Sequence, residues 1–298
     1  MNIKNVTIAG SGVLGSQIAF QTAFHGYAVM VYDISDEILE KSKATFQKLG
    51  EAYKTDLKAS QKQINETIDR LSFSSDLAKA TADADLLIES VPENPSIKID
   101  FYKKLAGVAP QKTIFASNSS TMLPSQFAES TGRPAQFAAL HFANEIWKHN
   151  TAEIMGHPGT DTEVFDTLVG FAKSIGMVAL PLHKEQPGYI VISLLVPLLG
   201  AGLDLLVRGV ADVQTIDKTW MEATGAPTGP FAILDVVGIT TAYNINKMEA
   251  EETGDSAKQK VVDYLKENFI DQGKFGVASG EGFYTYPNPS FKDPDFLK

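Results

Sequence analysis

The sequence predicts an α/β fold in which a mostly parallel β-sheet flanked by helices is followed by an all-helical part. The first observation is the alternation of short apolar runs with helical patterns through residues 1–186, which is typical of βαβ units. The second is a change at Gln186-Pro187-Gly188, after which helical patterns follow one another and no strand pattern recurs until GFYTY near the end. We therefore predict two domains, residues 1–186 and 187–298.

The first predicted strand and turn carry the strongest motif. The run IKNVTIAGSGVLG, residues 3–15, places three glycines in the order GxGxxG between a β-branched strand pattern and a helical pattern. That context is typical of a Rossmann-type dinucleotide-binding turn, where glycines allow a tight turn and close approach of the backbone to a pyrophosphate. Backbone N–H groups at the start of the helix would hold the phosphates. The cofactor-binding residues predicted in this turn are Gly10, Ser11, Gly12, Val13, Leu14 and Gly15.

An acidic residue ends the second predicted strand. The strand AVMVYD ends at Asp33, where a carboxylate can accept hydrogen bonds from the hydroxyls of the adenosine ribose. NAD is predicted over NADP, because a 2′-phosphate would meet a negative charge there with no adjacent arginine. The alternative is a structural glycine-rich turn beside a solvated acid, but the strand, the helix and the acid occur here in register.

The composition excludes several classes of protein. The chain has 298 residues, of which 44% are hydrophobic and 21% charged, as is ordinary for a globular protein. It contains no cysteine, which rules out disulfides and thiolate sites and agrees with a cytoplasmic location. The formal charge of −10 argues against a nucleic-acid partner. The sequence shows no metal-ligand spacing, no signal-peptide pattern and no apparent membrane-spanning run, so we expect neither a metal nor a membrane partner.

The second domain begins with a strongly apolar helical pattern, YIVISLLVPLLGAGLDLLVRG. The pattern is apolar along nearly its whole length rather than along one stripe. One interpretation is a helix at a subunit interface, which would make the protein a homodimer. The alternative is a helix buried within a single domain.

Three side chains could carry out chemistry beside the dinucleotide. His141 ends the apolar strand pattern FAALHF, at the sheet edge where ligands bind, and an imidazole suits proton transfer near neutral pH. Glu153 follows in TAEIM, across a polar loop that could fold as a hairpin and bring the carboxylate beside the ring. Ser120 ends ASNSS and offers a hydroxyl to a substrate oxygen. Each has a structural alternative, namely a core or capping histidine, a solvated acid and a surface hydroxyl.

Several long motifs are similar to those of one known family. GSGVLGSQIA is similar to GxGxMGxGIA, ASNSSTMLP to ASNTSSLP, LHFANEIWKHNTAEIM to LHFFNPxPxMxLVEVI, and SGEGFYTY to TGEGFYxY. The sequence therefore resembles the 3-hydroxyacyl-CoA dehydrogenase family over nearly its whole length, and its HFANxxWxxNTAE segment resembles the diketoreductases within it. The resemblance implies an NAD-dependent oxidoreductase that interconverts 3-hydroxyacyl and 3-ketoacyl compounds, as in fatty acid metabolism.

The resemblance also implies roles for individual residues. His141 would be the catalytic base, with the acidic residue of TAEIM as its partner and the last serine of ASNSS holding the reacting oxygen. Asn144 would lie along the cofactor, as would Glu93 and Lys98 in PENPSIK. Without the resemblance, Glu93 and Lys98 would be interpreted as a pair of solvated charges.

The sequence departs from the family on the substrate side. Ile192 stands where the family motif GFIVNR has asparagine, Ala143 replaces the second aromatic residue of HFFNPxP, and Trp147 replaces one of its prolines. We predict that these three residues and Ser120 line the substrate pocket. At a position that relatives use toward CoA phosphates this chain has Asp56, so a CoA thioester should bind weakly.

These observations predict an NAD(H)-dependent reductase of β-keto or 3,5-diketo esters, similar to the diketoreductases. The alternatives among enzymes are a true 3-hydroxyacyl-CoA (3-hydroxybutyryl-CoA) dehydrogenase and a sugar-acid 3-dehydrogenase. The alternative from another class is a catalytically silent NAD-binding structural protein. The set of Ser120, His141 and Glu153 favours an enzyme, whereas the isoleucine in place of the family asparagine favours the silent protein.

Overall fold

The computed structural model describes residues 3–298 of the chain. The chain divides into two compact units, Met1–Ile190 and Val191–Lys298. The domain boundary predicted at residues 186/187 falls shortly before this division.

Eight strands form one sheet in the first unit. In chain order they are β1 Asn5–Ala9, β2 Ala28–Tyr32, β3 Leu71–Ser74, β4 Leu86–Glu89, β5 Ile114–Ser117, β6 Phe137–Phe142, β7 Thr151–Met155 and β8 Val178–Leu182. Their order across the sheet is β3-β2-β1-β4-β5-β6-β7-β8. All neighbouring pairs are parallel except β6 and β7, which are antiparallel. The predicted mostly parallel sheet is confirmed.

Six α-helices lie between the strands of the first unit. They are α1 Val13–Phe24, α2 Asp36–Leu57, α3 Gln61–Asp69, α4 Leu77–Thr81, α5 Pro95–Val108 and α6 Thr162–Ser174. Three short 3₁₀ turns precede β6, at Pro124–Gln126, Ala128–Thr131 and Pro134–Gln136. The strand and helix alternation expected of βαβ units is therefore present.

Alternate residues of the central strands pack into two separate cores. In β4, Leu86 and Ile88 belong to the core that includes residues of α1, α2, α3 and α6, whereas Leu87 belongs to the core that includes residues of α5. Successive side chains of a strand point to opposite faces of the sheet, so helices cover both faces. Burial on both faces explains why these strands are continuous apolar runs in the sequence.

The direction of winding reverses beside β1. Because β1 lies between β2 and β4, the chain builds one edge of the sheet through β3 and then crosses to the other side. Ligands of such sheets bind at the carboxyl ends of the strands at this point. The turn from β1 into α1 lies there, as do the ends of β2 and β4.

The second unit contains helices as its only extended regular elements among residues 191–298. Helix α7, Tyr189–Val207, begins in the first unit and is followed by α8 Val213–Thr224, α9 Pro230–Val237, α10 Ile239–Thr253 and α11 Ser256–Asn268. Short 3₁₀ turns follow at Ile270–Gln272, Val277–Ser279 and Ser290–Lys292. The strand-like GFYTY pattern forms isolated bridges at most. The predicted helical domain is confirmed.

Helix α7 contradicts one expectation from the sequence and fits the alternative of a buried helix only in part. It has 19 residues with a mean hydropathy of 2.4, so by length and composition it could cross a membrane, whereas no such run was expected. Only 17% of this apolar stretch is buried. Val191 and Leu194 are 52% and 69% exposed. The alternative of a helix buried within one domain therefore does not fit the start of α7, whereas Leu199 and Leu203 farther along do lie in the core of the second unit.

Candidate active site

His141 and Glu153 face each other across the antiparallel strand pair. Strands β6 and β7 place the two residues directly opposite in register, with the polar loop 143–150 connecting the strands. Nδ1 of His141 lies 3.1 Å from Oε2 of Glu153. Glu153 is 3% exposed, and its other carboxylate oxygen accepts the N–H of Ile190 at 3.0 Å. A buried carboxylate held in this way fixes the orientation of the imidazole.

The other nitrogen of the imidazole faces Ser120. Nε2 of His141 lies 3.1 Å from Oγ of Ser120. When Nδ1 donates to Glu153, Nε2 accepts the serine hydroxyl in the neutral ring and becomes a donor once the ring is protonated. A ligand oxygen beside both groups can therefore receive two hydrogen bonds and then a proton. The structure thus brings together the three side chains predicted to be catalytic.

Tyr189 covers the imidazole, a contact that no pattern in the sequence predicts. The two rings are stacked, with centroids 4.5 Å apart and planes at 20°. The buried hydroxyl of Tyr189 donates to the carbonyl oxygen of Ser119 at 2.8 Å. Burial raises the pKa of this hydroxyl, so it remains protonated and a donor. Tyr189 thereby connects the histidine to the turn that carries Ser120.

Glu93 organises the same turn. Its Oε1 accepts the backbone N–H groups of Ser120 and Thr121 at 3.2 and 3.3 Å, together with the hydroxyls of Ser119 and Thr121. Burial alone would raise the pKa of Glu93, but the hydrogen bond from Ser119 and the charge of Lys98 hold it below its usual value. Glu93, predicted as a cofactor contact, thus supports the turn that bears Ser120.

Lys98 is buried between two carboxylates. It is 1% exposed, and its Nζ lies 2.5 Å from Glu89 and 3.2 Å from Glu93. The fully buried Glu89 also accepts hydrogen bonds from the hydroxyls of Tyr102 and Ser117. The alternative of a solvated charge is therefore wrong for Lys98. Its ammonium belongs to a network that joins the ends of β4 and β5, where loss of one partner would leave a buried unpaired charge.

The glycine turn fits a dinucleotide. Gly10 has φ +104°, and a Cβ there would lie 2.4 Å from a backbone oxygen after β4, while a Cβ at Gly15 would lie 2.0 Å from the carbonyl of Gly10. At Gly12, in contrast, nothing lies within 4 Å of the Cβ position, so the adjacent space is open to a ligand. Helix α1 has neither a side-chain cap nor an acidic residue in its first turn. The N–H groups of Val13 and Leu14 are therefore suited to a pyrophosphate.

Asp33 holds this turn against the end of β2. Its Oδ2 accepts the N–H and the hydroxyl of Ser11 at 2.8 and 2.7 Å, and its Oδ1 accepts the N–H of Ile34 at 2.8 Å. The prediction that the N–H of Ser11 holds phosphate is corrected, because Asp33 binds that group instead. Oδ1 of Asp33 has capacity for a second hydrogen bond, as a ribose hydroxyl would require.

The loop 143–150 contains three further residues of the predicted site. Ala143 is half-buried and Asn144 is exposed. The indole of Trp147 donates to Oδ2 of Asp56 at 2.8 Å and lies against the ring of Tyr53, with centroids 5.5 Å apart. These contacts hold the indole of Trp147 against α2.

Ile192, the remaining predicted pocket residue, lies on α7 in the second unit. It is 36% exposed and lines a cavity of about 290 Å³ in that unit. The lining is mainly aliphatic and includes Leu195, Leu199, Leu234 and Ile245.

Two family descriptions match almost the whole chain. Residues 5–186 match the NAD binding domain of 3-hydroxyacyl-CoA dehydrogenase, and residues 188–286 match its C-terminal domain. The chain belongs to the 3-hydroxyacyl-CoA dehydrogenase family. It is therefore an NAD-dependent oxidoreductase acting on CH–OH groups, and the resemblance found in the sequence is confirmed. Membership of this family disfavours the silent structural protein.

Individual members of the family resemble the chain along most of its length. Human mitochondrial hydroxyacyl-coenzyme A dehydrogenase is 34% identical over 293 residues, covering 95% of this chain and 91% of the relative. A probable 3-hydroxybutyryl-CoA dehydrogenase of Bacillus subtilis (strain 168) is 29% identical over 286 residues, covering 96% and 98%. One solved structure is that of a diketoreductase, which is described as carrying out substrate-directed dual catalysis of dicarbonyl compounds. It is 52% identical to this chain and superposes with a TM-score of 0.89, and the match covers 96% of this chain and 100% of the diketoreductase chain.

Three residues around this dehydrogenase site are not among those that the sequence predicts: Gln17, Glu89 and Tyr189. Gln17 and Gln21 stand four apart in a mainly apolar helical pattern, and such a polar pair on a buried face indicates specific hydrogen bonds. Tyr189 occupies the position of phenylalanine in the family motif GFIVNR. The hydroxyl that tyrosine adds at this position forms part of no sequence pattern, so its hydrogen-bond partner could not be predicted.

Proposed function

We propose that the chain is an NADH-dependent reductase that converts β-keto and 3,5-diketo esters into hydroxy esters. The observation that carries the proposal is the hydrogen-bonded set of Glu153, His141 and Ser120. The two nitrogens of the imidazole each lie 3.1 Å from an oxygen of the other two side chains. Reduction of a ketone requires a proton donor at its oxygen, and the imidazolium of His141 can be that donor. The 52% identity to a diketoreductase supports dicarbonyl compounds as substrates.

The residues of the chain have defined tasks in this reaction. The first turn of α1, Asp33 and Asn144 would hold NADH, which when bound would supply the hydride for the carbonyl carbon. Ser120 and His141 hold the carbonyl oxygen by hydrogen bonds that strengthen as negative charge develops there. The proton on Nε2 of His141 then passes to that oxygen, which completes the hydroxyl. The adjacent carboxylate stabilises the charged ring before the transfer, and in the reverse direction Nε2 takes the hydroxyl proton.

Charge supports an ester over a CoA thioester as the substrate. The chain carries a formal charge of −10, and a CoA group would bring several further negative charges. Hydrogen bonds from Trp147, which has the larger effect, and from Lys148 lower the pKa of Asp56. The carboxylate of Asp56 is therefore charged at neutral pH. Lys148, at 3.1 Å, is already paired with Asp56. A neutral ester meets no such repulsion.

The test measures NADH consumption by the purified chain with ethyl acetoacetate, a 3,5-diketo ester and acetoacetyl-CoA. We expect kcat/KM to be highest for the esters. Preference for acetoacetyl-CoA would support the true 3-hydroxyacyl-CoA dehydrogenase, and turnover of none of the three would contradict the proposal. As a control, His141→Ala should lower kcat by about 10²–10⁴ while NADH affinity changes little.

The proposal includes a homodimer in the cytoplasm. Leu194 on α7 and Val236 on α9 are 69% and 73% exposed, which is unusual for large apolar side chains. A second copy related by two-fold symmetry would present the same apolar helix and cover both residues. The absence of cysteine from all 298 residues agrees with a reducing compartment.

A further inference from the structure

A buried glutamine on helix α1 reaches the loop that follows His141. Gln17 is 6% exposed, and its Nε2 donates to Oδ1 of Asn144 at 2.8 Å. Its Oε1 accepts the backbone N–H of Glu145 at 2.8 Å and that of Ile146 at 3.4 Å. One side chain of the helix that follows the glycine turn therefore holds three consecutive residues of the loop 143–150.

We propose that Gln17 is a positioning residue for the cofactor, which acts by orienting the amide of Asn144. The inference rests on the proposed function, in which Asn144 contacts NADH. Because Gln17 binds Oδ1 of Asn144, the amide N–H groups of Asn144 point away from Gln17 and are available as donors. Without that bond the amide can rotate and present its oxygen to the cofactor instead of its N–H groups.

The backbone of the loop explains why a tether is needed at this point. Glu145 has φ 56°, in the left-handed region that non-glycine residues rarely adopt. Its N–H is the group that Oε1 of Gln17 holds at 2.8 Å. Farther along, Trp147 and Lys148 bind Asp56 of α2 at 2.8 and 3.1 Å, so the other end of the loop has its own attachment. Gln17 therefore acts on the part of the loop that carries Asn144.

Gln21 provides a matched control on the same helix. It lies one turn after Gln17 and is 3% exposed. Its Nε2 donates to the carbonyl of Ile175 at 2.7 Å, and its Oε1 accepts the hydroxyl of Tyr53. Neither partner belongs to the loop 143–150. Gln21→Met therefore removes buried hydrogen bonds of α1 without releasing Asn144.

Hydrogen exchange of the full chain without cofactor tests the tether directly. Gln17→Met keeps a long side chain but removes all of its hydrogen bonds to the loop. We expect the peptide that contains Glu145 and Ile146 to exchange about 5-fold faster, the usual net worth of one hydrogen bond. Gln21→Met should leave the exchange of that peptide at the wild-type rate. Unchanged exchange in Gln17→Met would overturn the proposal.

NADH affinity, measured by fluorescence titration, tests the orientation of Asn144. Gln17→Met and Asn144→Ala should each weaken binding by about 5-fold or more. The double variant should bind no more weakly than Asn144→Ala, since Gln17 acts through Asn144. Additive losses would overturn the proposal, as would an equal loss in Gln21→Met.

Gln17→Glu separates the two hydrogen-bonding tasks of the side chain. It keeps an acceptor for the loop N–H groups but cannot donate to Asn144. We expect wild-type exchange of the loop peptide together with weakened NADH binding, and wild-type affinity would overturn the proposal. A wild-type chain that binds NADH but reduces no ketone would contradict the proposed function alone, since both measurements on Gln17 can still be made.

Discussion

The ring of Tyr189 lies stacked on the imidazole of His141, with centroids 4.5 Å apart and planes at 20°. The hydroxyl of the same side chain donates to the carbonyl of Ser119, the residue before Ser120. Tyr189 therefore fixes both members of the contact between His141 and Ser120, the ring from its face and the serine turn through its backbone. Because Tyr189 is 1% exposed, water does not compete for its hydroxyl.

Tyr189→Phe keeps the stacked ring and removes the hydrogen bond to Ser119. We expect kcat for keto-ester reduction to fall by about 5-fold, the usual worth of one hydrogen bond, with NADH affinity unchanged. Steady-state kinetics and an NADH titration measure the two effects. Tyr27→Phe, which removes an exposed tyrosine hydroxyl bonded to Ser174, serves as the control. A wild-type kcat in Tyr189→Phe would mean that the hydroxyl does not position Ser120.

Two glycines of the first turn should respond differently to the same substitution. In Gly12→Ala the added methyl group has no atom within 4 Å, and the φ of −65° is one that alanine readily adopts. We therefore expect the variant to keep its stability and to bind NADH about tenfold or more weakly. Gly15→Ala would place a methyl 2.0 Å from the carbonyl of Gly10, so it should lose about 1–3 kcal/mol of stability. Thermal unfolding and NADH titration distinguish the two effects. Wild-type affinity in Gly12→Ala would exclude a pyrophosphate beside that residue.

Glu93 should make part of the chain's stability depend on pH. Its pKa in the folded chain lies below the ordinary value of 4.5, so its charge contributes stability above pH 4.5 that is lost as pH falls through the folded pKa. Glu93→Gln should therefore be less stable than wild type at neutral pH, and the difference should shrink on acidification. The effect should be modest, because the side chain is 40% exposed and solvent screens it.

Urea unfolding at neutral pH and near pH 3 measures the effect at Glu93. The exposed Glu129 provides the control, since Glu129→Gln should change stability little at either pH. A loss in Glu93→Gln that is the same at both pH values would show that ionisation of Glu93 does not contribute.

The parts of the site that could be predicted follow from rules of local geometry. The spacing of Gly10, Gly12 and Gly15 between strand and helix is a property of one continuous segment. His141 and Glu153 could be paired because residues on either side of a hairpin loop lie opposite each other, and the structure has them in register. His141 could be placed near the ligand because it lies at the carboxyl end of β6, and sheets of this type bind ligands at that edge.

The contacts that could not be predicted join distant segments through packed side chains. Gln17 and Asn144 are 127 residues apart, and Tyr189 and Ser119 are 70 residues apart. Periodicity identifies the buried face of a helix but does not identify the residue that this face meets. Lys98 shows the same limit, because the spacing to Glu93 is the same for a solvated pair and for the buried network that the structure contains.

Helix α7 gives a prediction about assembly. Leu194 is 69% exposed on a helix with a mean hydropathy of 2.4, and in the proposed homodimer a second copy covers it. Leu194→Glu would place an unpaired charge in that interface, so we expect the dimer to weaken by at least about tenfold. Sedimentation over a range of concentrations measures the change, with the exposed Gln214→Glu on α8 as the control.

Vesicle flotation distinguishes a second copy from lipid as the partner of α7. If the homodimer covers this helix, wild-type protein should not float with phosphatidylcholine vesicles, because dimer formation removes the apolar surface from water. Flotation of the wild type that Leu194→Glu abolishes would show that lipid covers the helix. A wild type that sediments as a monomer and does not float would leave Leu194 exposed to water, which contradicts the proposed dimer.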